Sequence, residues 1–234
     1  MNARGWQAIV FDLDDTLYPE REYVLGGFRA VAEWIDANLN VPAARAFTEL
    51  KVLFEQGVRG DTFNRWLATR GFSEEDLTQT LVRVYRHHHP TLTPFPGVLE
   101  LLDVLHARYR LGLVSDGILS VQQRKLAALG LVDCFDAIVF SDEWGRAAWK
   151  PSTLPFEVVA HRLGVSPAWS VYVADNPLKD FLGARQVGMF TIRARYPDGE
   201  YSAQMPPAPE YAPHVTITSL DELASILSEV QPVL

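Results

Sequence analysis

Residues 10–19 read VFDLDDTLYP, which crowds Asp12, Asp14 and Asp15 between an apolar run and a proline. Like charges at that density repel one another, and aspartate is depleted in strands, so the cluster needs a counter-charge. Carboxylates so placed are suited to hold a hard divalent cation through oxygen, and a carboxylate neutralised in this way can act as a nucleophile. Three later stretches carry matching chemistry: Ser115, Asp116 and Gly117 in LVSDG, Lys150 in KP, and Asp175, Asn176 and Asp180 in VADNPLKD.

The elements around these residues predict where they stand. AIVFD (8–12), LGLVS (111–115), AIVF (137–140), SVYVAD (170–175), MFTIRA (189–194) and VTIT (215–218) are continuous apolar runs, the mark of strands buried on both faces of a parallel sheet. Between them VLELLDVLHARY, LSVQQRKLAALG, PFEVVAHRLG, KDFLGARQVG and LDELASILSEV repeat at helical spacing, several of them closing on glycine. Such alternation predicts an α/β fold, a doubly wound, Rossmann-like parallel sheet. It breaks once, between about 20 and 90, where four amphipathic stretches follow one another without a strand. Ser73 is the expected start of the last of them, and Pro19, Pro90, Pro94 and Pro96 mark the two connections. The expected division is an α/β core of residues 1–18 and 93–234 with a helical insert of residues 19–92.

In open α/β sheets ligands bind beyond the carboxyl ends of the strands. Asp12, Ser115, Lys150 and Asp175 follow four different strands, so one rim would collect carboxylates, a hydroxyl and an ammonium. At this point FDLDDTLY, LVSDG, KP and VADNPLKD, in that order, resemble the four motifs of the haloacid dehalogenase superfamily, whose helical cap is inserted after the first motif. The resemblance spans nearly the whole chain. It implies a phosphatase in which Asp12 is the nucleophile and forms an aspartyl-phosphate, Asp14 is the general acid and base, and Ser115 and Lys150 bind the phosphate. Backbone groups near Asp116 and Gly117 would add to that cradle. It further implies Mg²⁺ held by Asp12, the carbonyl of Asp14 and Asp175. Asp180 is expected to orient Lys150 or a metal-bound water with Asn176 in the same loop, and Thr16 to fix the first loop through its hydroxyl. Members that cleave carbon–halogen bonds lack the second aspartate and the metal, so Asp14 favours phosphate chemistry. Asp14 needs a pKa above that of a free carboxylate to serve as the acid. Between SDEWG and Lys150 the segment RAAW makes the third motif about two residues longer than loop-length priors suggest, and Pro151 would open the helix that follows.

Composition narrows the partners. A formal charge of −8 without a basic helical stripe argues against nucleic acid. The single Cys134 lies in LVDCFDAIVF, which reads as core; it can form no internal disulfide, and the expected setting is cytoplasmic. No apolar run approaches the ~18 residues of a membrane span, and the N-terminal residues carry no signal-peptide pattern. His87, His88 and His89 point about 100° apart on a helix and would not converge on one ion. Arg21, Arg59 and Trp66 have two readings, facing substrate or serving the insert itself. The proline-rich stretch 196–213, with Tyr196, Tyr201 and Tyr211, has three: closing over the site, a homodimer contact, or a surface strap packed by its tyrosines. Two other functions stay open. A phosphosugar mutase would return the phosphoryl group to its sugar, and a receiver-type signalling module would keep a phospho-aspartate without turnover, though such modules are half this length and use a middle strand.

Overall fold

The computed structural model describes residues 5–72 and 75–232. Six strands form one parallel sheet: β1 (Ala8–Phe11), β2 (Arg110–Ser115), β3 (Ala137–Phe140), β4 (Ser170–Ala174), β5 (Phe190–Ala194) and β6 (Val215–Ile217). Their order is β3-β2-β1-β4-β5-β6. β1 therefore lies between β2 and β4, pairing Phe11 with Leu113 on one side and Val173 on the other. The order reverses at β1, and the residue that follows it enters the crevice where open α/β sheets bind ligands.

Every residue of β1 is buried, as a central strand covered on both faces requires. On one face Val10, Val114, Val139 and Tyr172 pack against Phe156 and Val159 of α7 (Leu154–Leu163) and Phe181 of α8 (Asp180–Gln186). The helix after β2, α6 (Leu119–Ala128), and α5 (Val98–His106) before it complete the elements around that strand. Gly164 ends α7 in the left-handed conformation that the glycine-terminated pattern predicts. Cys134 departs from its expected core position: it sits half-buried on a 3-10 turn, where burial, with Asp133 and Asp103, pushes its thiol up.

The chain divides into two compact units, Met1–Pro19 with Thr93–Leu234, and Glu20–Leu92. The second is all helix among the described residues: α1 (Glu20–Leu39), α2 (Ala43–Glu55), α3 (Thr62–Ala68) and α4 (Glu75–His87). Ser73, the expected start of α4, lies outside the described residues. Phe28, Ile35, Leu50, Trp66 and Leu81 fill its core. Arg21 pairs with Glu55 at 2.7 Å, and the Trp66 indole donates to Glu49 at 2.9 Å, so both serve this unit internally. Arg59 stacks 3.8 Å over Phe54 and lines a cavity of about 220 Å³ within the unit. The three histidines diverge: His88 is buried against Tyr23, with ring centroids 4.6 Å apart, whereas His87 and His89 are exposed.

The 196–213 stretch is pinned to the sheet unit through its backbone. Arg193 donates to the carbonyls of Asp175 (3.1 Å) and Tyr201 (2.6 Å), and Arg195 to that of Ser202 (2.7 Å). Arg185 reaches the carbonyls of Pro209 (2.9 Å) and Ala212 (2.7 Å). Tyr196 stacks on Phe95 with centroids 4.4 Å apart and donates to the Thr16 carbonyl at 2.9 Å. These contacts fit the surface strap. They also correct the expectation for Thr16: its carbonyl is the group held, while its buried hydroxyl makes no hydrogen bond.

Candidate active site

Asp12 follows β1 directly, its N–H bonded to the Val173 carbonyl at 2.9 Å, so the neighbouring strand β4 fixes its backbone. Its carboxylate meets the fully buried Lys150 ammonium at 2.6 Å. Lys150 Nζ also donates to the Tyr172 hydroxyl at 3.0 Å and forms an ion pair with Asp180 Oδ1 at 2.8 Å. Burial alone would lower the Lys150 pKa. The charges of Asp12 and Asp180 outweigh it and hold the pKa well above the usual lysine value.

The longer third motif does not displace this lysine. Its SDEW coils into one 3-10 turn, Ser141–Trp144, the added RAA into a second, Arg146–Ala148, and the Trp149 indole donates to Asp142 at 3.1 Å. Pro151 is not in the first turn of a helix as expected; α7 starts at Leu154 and its early proline is Pro155. A close approach fixes the segment instead. A Cβ on Gly183 of α8 would lie 2.4 Å from the Pro151 carbonyl oxygen, so only glycine lets that helix pack against the backbone just after Lys150.

Asp12, Asp175 and Asp180 are buried and bring carboxylate oxygens within 4.8 Å of one another. Burial raises Asp12 to about 7 even though Lys150 opposes it, and burial with the Asp180 and Asp12 charges raises Asp175 well above the carboxylate range. The positive charge of Lys150, with that of Lys179 acting on Asp12 and Asp175 as well, is thus too little for three buried carboxylates. Asp180 Oδ2 accepts from the Asn176 N–H at 2.9 Å, while its Oδ1 pairs in charge with Lys150 at 2.8 Å but accepts no hydrogen bond. Asp175 Oδ2 is buried without a hydrogen-bond partner. An unpartnered oxygen, surplus negative charge and an all-oxygen donor set fit a hard divalent cation on Asp12 and Asp175. Asn176 shapes this loop, its Oδ1 accepting from the Leu178 N–H at 2.9 Å.

The Asp14 side chain stands apart from that cluster. Lys125 Nζ pairs with its Oδ1 at 2.7 Å, the Tyr18 hydroxyl donates to the same oxygen, and Gln122 Nε2 donates to Oδ2 at 2.7 Å. Burial pushes Asp14 up, but the Lys125 charge and these hydrogen bonds prevail and hold it below its ordinary value. This corrects the expectation of a raised pKa: in the free protein Asp14 is ionised at neutral pH.

At the last position of β2, the buried Ser115 hydroxyl accepts from Gln122 Nε2 at 3.1 Å. Asp116 turns inward as a clasp between motifs, its Oδ1 accepting from Ser141 Oγ at 2.5 Å and the Lys150 N–H at 3.2 Å. Its side chain is therefore committed to the protein, and only its backbone is left for a ligand. Gly117 takes a φ of 127°, which a side chain rarely adopts, and turns the chain from β2 into α6. Lys179, partly exposed, adds a second ammonium 3.4 Å from Asp116.

The structure gathers Asp12, Lys150, Asp175 and Asp180 into one cluster. The sequence reading missed Gln122, Lys125, Tyr18, Tyr172 and Lys179. For the first two a signal existed: in LSVQQRKLAA they stand at spacing i, i+3 within the arc of Val121 and Leu126, so two polar side chains share the buried face.

A profile of the family described as haloacid dehalogenase-like hydrolase matches residues 9–194. The glyceraldehyde 3-phosphate phosphatase of Methanocaldococcus jannaschii is 32% identical over 96% of this chain and 98% of its own. Among solved structures, a 2-haloacid dehalogenase from Pseudomonas syringae superposes with a TM-score of 0.64 at 25% identity, over 96% of this chain and 99% of that one. The candidate HAD-hydrolase YfnB of Bacillus subtilis, solved bound to magnesium, gives 0.68 at 24% identity, over 95% and 99%.

Proposed function

The chain belongs to the haloacid dehalogenase-like hydrolases and is a phosphatase of that family, and from that premise we propose that it hydrolyses a small phosphorylated metabolite through an aspartyl-phosphate on Asp12, with Mg²⁺ as cofactor. The buried cluster of Asp12, Asp175 and Asp180 with its unpartnered oxygen carries this reading. Asp14 supports it against the dehalogenase alternative, which has no use for a second proton-handling carboxylate. The helical unit, inserted just after the first motif, is assigned the role of cap.

Asp12 and Asp175 would hold the cation, with the carbonyl of Asp14. When bound, Mg²⁺ supplies the positive charge that lets an anionic carboxylate approach an anionic phosphate. Asp12 attacks phosphorus, forming the aspartyl-phosphate and expelling the leaving oxygen. Lys150 places its charge beside Asp12, where electrostatic stabilisation of the transferring group is strongest. Ser115 offers that group a hydroxyl. Asp14, ionised in the free protein, gains proton affinity from the negative charge of a bound phosphate. It then protonates the leaving oxygen and later takes a proton from the attacking water.

Phosphate release from a panel of phosphorylated sugars, acids and nucleotides, with and without Mg²⁺, tests the reading. Glyceraldehyde 3-phosphate heads the panel, after the archaeal relative. Mg²⁺-dependent release from at least one member is expected. An isomerised sugar without free phosphate would establish a mutase instead, and a lasting phospho-adduct without turnover a signalling module.

A pH dependence follows from Asp12. Its folded pKa of about 7 exceeds the ordinary aspartate value of 3.8, so between these values the folded protein binds the proton more tightly than the unfolded chain. The contribution to stability is full at low pH and is lost as pH rises through about 7. Melting of the metal-free protein should therefore show a downward contribution across that window that Asp12→Asn diminishes, leaving the share of Asp175. Because cation binding needs the deprotonated carboxylates, Mg²⁺ should raise the melting temperature more at about pH 8 than at about pH 6. An equal rise at both would refute the assignment.

A further inference from the structure

Lys125 and Gln122 lie on the buried face of α6, and neither belongs to the four motifs. Only 3% of Lys125 is exposed, and its partner is Asp14, 111 positions away in sequence. Burying an ammonium costs several kcal/mol before pairing returns anything, and an apolar residue on this helix face would serve the core at least as well. Gln122 is placed as a fork. One amide nitrogen donates to Asp14 Oδ2 at 2.7 Å, lies 3.1 Å from the Ser115 hydroxyl and donates to the Asp116 carbonyl, while its own oxygen is buried without a partner. Together with Tyr18, the two side chains hold both oxygens of Asp14.

We propose that Lys125 and Gln122 are positioning residues for proton transfer: they fix the carboxylate of Asp14 relative to Ser115, and so to the leaving oxygen of a phosphate bound there. The inference rests on Asp14 being the acid and base of the reading above. It gives α6 a task separate from binding the phosphate or the cation. A carboxyl group that delivers a proton must sit within hydrogen-bond reach of the oxygen receiving it, and three donors from two directions remove its freedom to turn away.

The test is a double-mutant cycle of Lys125→Met and Asp14→Asn in Mg²⁺, read as single-turnover release of the leaving group from two aryl esters of similar shape. p-Nitrophenyl phosphate has a good leaving group that needs little protonation, and phenyl phosphate has a poor one. Lys125→Met should slow phenol release about tenfold or more, and p-nitrophenol release no more than about threefold, with KM for both within about twofold of wild type. In the Asp14→Asn background it should cost nothing further. Lys125→Arg should recover most of the loss, and Gln122→Leu should repeat the pattern. A second readout is unfolding: Lys125→Met lowers the midpoint by stranding the Asp14 charge, and adding Asp14→Asn restores part of it.

Full additivity with Asp14→Asn, or an equal loss on both esters with a raised KM, would overturn the inference and make Lys125 a phosphate ligand or a packing residue. Asp12→Asn keeps the two levels apart. If that variant also releases the leaving group, the reading of the whole site falls; if it is silent while the cycle is additive, only the role of α6 falls.

Discussion

Asp12→Asn is expected to lower phosphate release on the order of 10⁴-fold or more, with any aryl or alkyl ester, because in the proposed mechanism it removes the nucleophilic carboxylate. An amide oxygen has the shape of the carboxylate but neither its charge nor its nucleophilicity. The same change should leave the fold intact. Charged Asp12 is a burden on the metal-free protein, as its raised pKa of about 7 states, and the neutral amide mimics the form that burial prefers. Initial rates alongside thermal melts check both halves. Near-wild-type turnover would refute the nucleophile, and a collapsed fold would show that Asp12 has a structural duty the geometry does not suggest.

Lys150→Met is the second large effect, and it acts on stability as well as rate. The fully buried ammonium is held 2.6 Å from Asp12, 2.8 Å from Asp180 and 3.0 Å from the Tyr172 hydroxyl. Removing one member of a buried ionic network strands the others, which typically costs about 3–5 kcal/mol. The variant should lose about that much in urea unfolding without Mg²⁺, and its kcat should fall about 10³-fold for want of charge beside the transferring group. Lys150→Arg should not restore it. Three oxygens, two of them hydrogen-bonded, converge on one point charge, and a planar guanidinium cannot replace a compact ammonium there. A variant that melts and turns over like wild type would show that the network is incidental.

The backbone plan was legible because each strand is a short apolar run bounded by polar turns and each helix keeps its period. All six runs from AIVFD to VTIT became strands of one parallel sheet. The motif residues were legible for a related reason, since chemistry placed at strand ends interrupts apolar patterns conspicuously. What stayed hidden was charge inside helices. Lys125 reads as an ordinary polar residue of an amphipathic stretch, and only the tertiary packing that closes α6 over the loop after β1 turns its ammonium onto Asp14. The ionisation of Asp14 was misjudged for the same reason: burial was anticipated, but the cation 111 residues away was not. The role of Asp116 was hidden too, because its partners Ser141 and the Lys150 N–H arrive from another motif. Thr16 shows a smaller failure: its type suggested a hydroxyl contact, and the fold uses the carbonyl that every residue carries.

The tethering of the 196–213 stretch has its own consequence. Arg185, Arg193 and Arg195 grip main-chain oxygens only, so the grip is blind to which amino acids pass through it. At those gripped positions the path of the chain does not depend on the side chain carried there, in contrast to Tyr196, whose ring and hydroxyl are themselves the contact. For protein engineers, the exposed tip around Met205 is the natural place to splice a reporter peptide without disturbing the reactive rim.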